Sequence, residues 1–133
     1  MSKARKIPLE RNTRVPCICR VRSARMLYNG VDIGTISEES NDAGEFDWVI
    51  APNWENLDKM PPIQISGIDM DLRKKEYIRR YVPVFVEERT PSDTRENLWE
   101  ELEAVGLSWN DRFEYMCRTH GLCGNNDITV ERM

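Results

Sequence analysis

Thiolate and imidazole side chains are the ligands that tetrahedral zinc prefers, and this 133-residue chain groups them at two places. Cys17-Ile18-Cys19 stands near the start, and Cys117-Arg118-Thr119-His120-Gly121-Leu122-Cys123 near the end. The two patterns are C-x-C and C-x-x-H-x-x-C. If the first strand ran beside the end of the last helix, Cys17, Cys19, Cys117, His120 and Cys123 would together offer four or five ligands. C-x-C is not the usual C-x-x-C knuckle, however, and Cys17 or Cys19 and Cys117 also read as small buried hydrophobes. Zinc is thus the one cofactor the chain raises, and nothing requires it.

Acid–base and nucleophilic catalysis have a thinner basis. His120 is the single histidine. Glu87, Glu88, Glu96, Glu100, Glu101 and Glu103 crowd a segment with helical spacing, where carboxylates form a solvated face. No Ser–His–Asp or Cys–His arrangement stands out, and there is no Gly-rich phosphate loop or Asp/Asn catalytic loop of the kinase type. The expectation is a protein that binds without catalysing.

A chain of this length can bury one core without disulfides. Apolar residues make up 40% and charged residues 32%, which is not the composition of a disordered chain. No apolar run is long enough to span a membrane, and the start, Met1-Ser2-Lys3-Ala4-Arg5-Lys6-Ile7-Pro8, lacks the apolar heart of a secretion signal. The expected compartment is therefore the cytoplasm, where the cysteines would be thiols or metal ligands. Charge is unevenly spread. Residues 1–25 carry eight Lys or Arg against Glu10, a net of +7; with −4 for the whole chain, the other 108 residues carry −11. Residues 1–14 read as a basic flexible arm and 15–133 as one domain. The arm could lie on its own acidic body, or reach nucleic acid or an acidic partner, although it lacks aromatics for stacking on bases.

The domain reads as α+β. Asn29-Gly30 between Met26-Leu27-Tyr28 and Val31-Asp32-Ile33 is a two-residue hairpin signal, because a type I′ turn needs positive φ at both central residues. In the second strand Val31, Ile33 and Thr35 alternate with Asp32 and Gly34. Residues 38–44 form a turn, and Glu45-Phe46-Asp47-Trp48-Val49-Ile50 alternates as a half-buried strand should. Together these make an antiparallel meander. Pro52, Pro61 and Pro62 punctuate the next stretch, with Trp54 and Leu57 on one helical turn. Ile63, Ile65 and Ile68 suggest a further strand, residues 71–81 a short helix or ordered loop, and Pro83 argues against a central strand over 82–86. Thr90-Pro91-Ser92-Asp93 has the residues of a helix start, with Leu98, Leu102 and Val105 on the inner face and Gly106 as the stop. Residues 108–111 repeat the start signal; Phe113, Met116 and Cys117 point inward and Gly121 ends the helix. Ile128 and Val130 mark a final strand that rejoins the sheet.

Taken in order, these segments resemble the N-terminal subdomain of the HipA-type serine/threonine kinases, the toxins of bacterial toxin–antitoxin systems. The residues that carry the likeness are Leu27-Tyr28-Asn29-Gly30-Val31-Asp32-Ile33-Gly34-Thr35-Ile36, the aromatic stretch from Phe46 to Trp54, and Pro62-Ile63-Gln64-Ile65-Ser66. To these are added Val84-Phe85-Val86-Glu87-Glu88-Arg89-Thr90-Pro91, Gly106-Leu107-Ser108 between two helices, and the closing run from His120 to Val130. The likeness covers about residues 25–131, most of a domain. Where the family has apolar residues before the proline, this chain has Glu88-Arg89-Thr90. That departure falls where the subdomain would face the rest of the kinase.

Kinases of this family continue into ATP-binding and catalytic lobes. The resemblance therefore implies a split system, in which a small separate protein serves as antitoxin or regulatory subunit of a truncated kinase. A subdomain that normally packs on the kinase can pack in trans and bias its active and inactive states. Partner contacts are expected from Trp54, an aromatic of the type that anchors interfaces, and from Glu87, Glu88, Arg89, Thr90 and Pro91. Two other readings stay open. The −11 body could imitate nucleic acid, as in a small phage or mobile-element inhibitor of a host defence or nucleic-acid-binding complex. Alternatively, the basic arm could serve a nucleic-acid-binding accessory protein.

Overall fold

The computed structural model describes residues 21–40, 45–123 and 127–133. The arm over residues 1–14, and Cys17 and Cys19, lie outside them. Among the described residues five strands form one antiparallel sheet in the order β4-β3-β2-β1-β5. They are β1 (Val21–Tyr28), β2 (Val31–Ser40), β3 (Phe46–Pro52), β4 (Tyr77–Arg79) and β5 (Ile128–Arg132). The described residues also hold four short α-helices, which make the fold α+β: α1 (Trp54–Leu57), α2 (Val84–Glu87), α3 (Leu98–Ala104) and α4 (Arg112–Arg118).

The Asn29-Gly30 turn joins β1 and β2 with φ of 51° and 84°, and Tyr28 pairs with Val31, as a type I′ hairpin requires. The alternation expected in β2 breaks one step later. Met26 pairs with Gly34 and Leu27 with Asp32, so Ile33 is an extra residue in a β-bulge. Ile33 and Ile36 both face the core as a result, and Thr35 does not. Gly34 is required at the bulge. Its φ is +145°, and a Cβ there would come within 2.6 Å of the Ala51 carbonyl oxygen.

Register places Ala24, Ile36, Ile50 and Tyr77 in one row across four strands, all buried. With Met26, Ile33, Ile128 and Val130 they make the floor of the core. Phe85, Val86, Phe113, Met116, Ile65 and Ile68 cover it. Complete burial of side chains this large contributes roughly 1.5–3 kcal/mol each.

Ile63, Ile65 and Ile68 belong to no strand. Ile65 and Ile68 are buried from an irregular loop, whose Ile65 N–H donates to the Met70 sulfur at 3.3 Å. Tertiary packing, not strand pairing, explains their apolar character. The segment over 71–81 holds a single 3₁₀ turn (Met70–Leu72) and then β4 at the sheet edge. Pro83 precedes α2.

The helix expected from Thr90 starts at Leu98 instead. The Thr90 hydroxyl donates back to the Val86 carbonyl at 2.8 Å, and Ser92 makes a local turn with the Thr94 N–H at 3.2 Å. Short polar side chains thus tie the backbone into turns where a helix would otherwise begin. The later signals act as expected. Gly106 and Leu107 close α3 with 3.0 and 2.8 Å bonds to the carbonyls of Glu103 and Leu102, a Schellman ending. Asp111 caps α4 by accepting from the Glu114 N–H at 3.2 Å. The α4 ending places His120 in the left-handed region (φ 59°), with Gly121 donating to Met116 at 2.7 Å. The His120 carbonyl then accepts from Val130 at 2.8 Å, which ties β5 to the end of α4.

Candidate functional site

At the end of the sheet where β1 begins, β2 ends and β3 begins, the capped start of α4 comes down beside the strands. Arg22 on β1 lies opposite Glu38 on β2. Its Nε donates to Glu38 Oε1 at 2.9 Å and its Nη1 to Asp111 Oδ2 at 2.7 Å. The guanidinium also lies over the Phe113 ring, 5.0 Å from its centre. Phe113 in turn packs against Trp48, with ring centres 6.2 Å apart. Burial opposes the charge on Arg22, but the bonds to Asp111 and Glu38 outweigh it, and its pKa rises. This triad is held from three elements and has little freedom to rearrange.

Beside it opens a cavity of about 400 Å³, lined by Arg22, Glu38, Phe46, Trp109 and Asp111. Phe46 extends the inward row of β3, two residues before buried Trp48, yet it is 46% exposed; Trp109 is 59% exposed. Two uncovered aromatics therefore wall a cavity whose charged groups are already positioned. Exposed aromatics beside a formed, mainly apolar cavity are a binding feature. In the sequence Phe46 belongs to a strand, Trp109 and Asp111 to a helix start, and Arg22 only to a charge count. Folding is what joins them.

The residues expected to meet a partner are distributed differently. Trp54 is half-buried against the core. Its Nε1–H donates to the Lys74 carbonyl at 2.9 Å, and Arg73 lies over its ring at 4.6 Å. Arg73 is held there by paired bonds of 3.0 and 2.9 Å to Asp58, whose carboxyl is pulled below the usual range by those bonds. Trp54, Leu57, Met60, Ile63 and Met70 line a second groove with this pair.

Glu87 and Glu88 are exposed, whereas Arg89, Thr90 and Pro91 are buried. Arg89 lies over Phe85 at 3.8 Å and donates to the carbonyls of Phe85 (3.0 Å) and Ile128 (3.4 Å), joining α2 to β5. Desolvation draws its pKa below the ordinary guanidinium value, against the opposing pull of Glu88 and Cys123. The segment's cation and proline serve the interior, and only its two acids face water.

Of the zinc candidates, Cys117 is buried, Cys123 half-buried and His120 exposed. Burial pushes the Cys117 thiol up to about 11, with Arg22 pulling against it and Asp111 adding to it. Metal binding at this buried thiol would have to release its proton, since the ligand is a thiolate. Among the described residues no three His, Cys, Asp or Glu side chains gather to hold a metal ion. Among the same residues no helix is long and apolar enough to cross a membrane.

No protein-family model, curated protein or solved structure matches this chain.

Proposed function

We propose that this chain is a non-catalytic binding module that docks on a protein partner through the cavity between Phe46 and Trp109. The observation that carries the reading is the pairing of two exposed aromatics with the Arg22–Glu38–Asp111 triad, whose geometry is set before any partner arrives. Preorganisation lowers the ordering cost of association, and tryptophan is among the residues that dominate interface energetics. The partner class is the catalytic core of a HipA-type kinase, with this chain as its antitoxin or regulatory subunit. What supports that choice is the sequence resemblance together with an element order it anticipates: hairpin, aromatic strand, two late helices and a returning strand.

The test is affinity purification of the tagged chain from its native host, with the recovered proteins identified by mass spectrometry. Recovery of a kinase-like protein that lacks this subdomain is expected, as is its loss with Trp109→Ala at an unchanged circular dichroism spectrum. Recovery of a nuclease complex, or of no stable partner, would overturn the kinase assignment. Retention of the kinase by Trp109→Ala would overturn the docking site.

A further inference from the structure

The same cavity has a charge balance that its aromatic walls alone do not convey. Among the described lining residues Arg22 contributes one positive charge and Glu38 and Asp111 two negative ones, a net of one negative charge. The guanidinium has three nitrogens directed at the two carboxylates and one face on Phe113. The carboxylates are partly shielded from water, at 14% side-chain exposure for Glu38 and 11% for Asp111, so their field is screened less than that of surface acids. The rings of Phe46 and Trp109 carry a quadrupole that attracts cations, most strongly on tryptophan.

Resting on the docking reading above, we infer that this cavity receives a cationic side chain, a lysine or arginine of the partner, held between the Phe46 and Trp109 rings and the acids behind them. The volume of about 400 Å³ has room for one long side chain. An anionic side chain or a phosphate would meet the net negative lining. An uncharged side chain would gain the aromatic contact and forgo the electrostatic one. A basic partner segment satisfies both features of the site.

The measurement is a titration of the full chain, labelled with ¹⁵N, followed at the Trp109 indole N–H, which a Trp109→Phe variant assigns. The probes are N-acetyl-arginine amide, N-acetyl-trimethyllysine amide and the uncharged N-acetyl-norleucine amide. The two cations are expected to move the Trp109 signal saturably and to bind about five- to tenfold more tightly than norleucine. Raising the salt should weaken them and leave norleucine unaffected, and Phe46→Ala should remove the response. Equal or tighter binding of norleucine, or no saturable shift with any probe, would overturn the inference. The two readings fail separately. Trp109-dependent recovery of a partner without cation binding would leave docking standing and remove the cation. Cation binding with a partner indifferent to Trp109 would do the reverse.

Discussion

Arg22 and Arg73 each hold carboxylates while lying over an aromatic ring, and they differ in how much water reaches them. Arg22 bonds Glu38 and Asp111 over Phe113, with side-chain exposures of 22%, 14% and 11% for the three charged residues. Arg73 bonds Asp58 over Trp54 with exposures of 53% and 55%. The chemistry is nearly the same and the consequences are not. A shielded pair is strongly coupled, and removing one member strands the other. An exposed pair competes with water and contributes little. The first unit thus forms a fixed floor for a cavity, whereas the second covers the face of a tryptophan that would otherwise meet solvent.

The largest effect that could break this contrast is Arg22→Ala. It leaves Glu38 and Asp111 without their cation and uncovers Phe113, and it should cost about 3 kcal/mol, the low end for breaking a shielded pair. Urea unfolding measures this directly. Arg73→Ala, made in parallel, should leave the unfolding midpoint close to that of the native chain. Equal losses from the two variants would show that burial does not separate the units.

The tryptophans sharpen the same contrast at smaller magnitude. Trp54→Ala removes a half-buried indole with an internal hydrogen bond and should cost about 1–2 kcal/mol. Trp109→Ala should stay within about 0.5 kcal/mol, because its ring packs mainly against solvent. Thermal or urea unfolding of both variants decides it. A stability loss at Trp109 larger than at Trp54 would reassign Trp109 to structure.

The smallest effect concerns pH. The hydrogen bonds from Arg73 hold the Asp58 carboxyl below its ordinary value. A depressed carboxyl favours the folded state above the ordinary carboxylate range, and that advantage is lost as pH falls through the folded-state value. Arg73→Gln should therefore move the Asp58 titration upward, read from its carboxyl ¹³C shift. No movement would show that the bonds from Arg73 do not persist in solution.

Much of the fold is legible in the sequence because its signals are local. Asn29-Gly30 specifies its turn through backbone conformation alone, Asp111 and Gly106 bound their helices through hydrogen bonds within a few residues, and Ile128 and Val130 show a buried strand face. The structure departs from expectation where a local signal has a competitor. Thr90 and Ser92 bond to nearby backbone, and the Ile63–Ile68 stretch meets the core without pairing to a strand. The bulge at Ile33 is a third kind of departure, since a one-residue insertion changes which side chains face inward and leaves composition untouched.

By itself, the sequence determined the α+β class, the returning last strand and the separation in charge of a basic start from an acidic remainder. It also named Trp54 and residues 87–91 as expected partner contacts without ranking them by exposure. Only the tertiary structure decided that Arg89 joins α2 to β5, that Trp54 is covered by Arg73, and that Phe46 and Trp109 share a cavity with Arg22, Glu38 and Asp111. The reason is range. Turns and caps form between residues a few positions apart, whereas Arg22 and Asp111 are 89 positions apart, and their meeting depends on how α4 packs across the sheet.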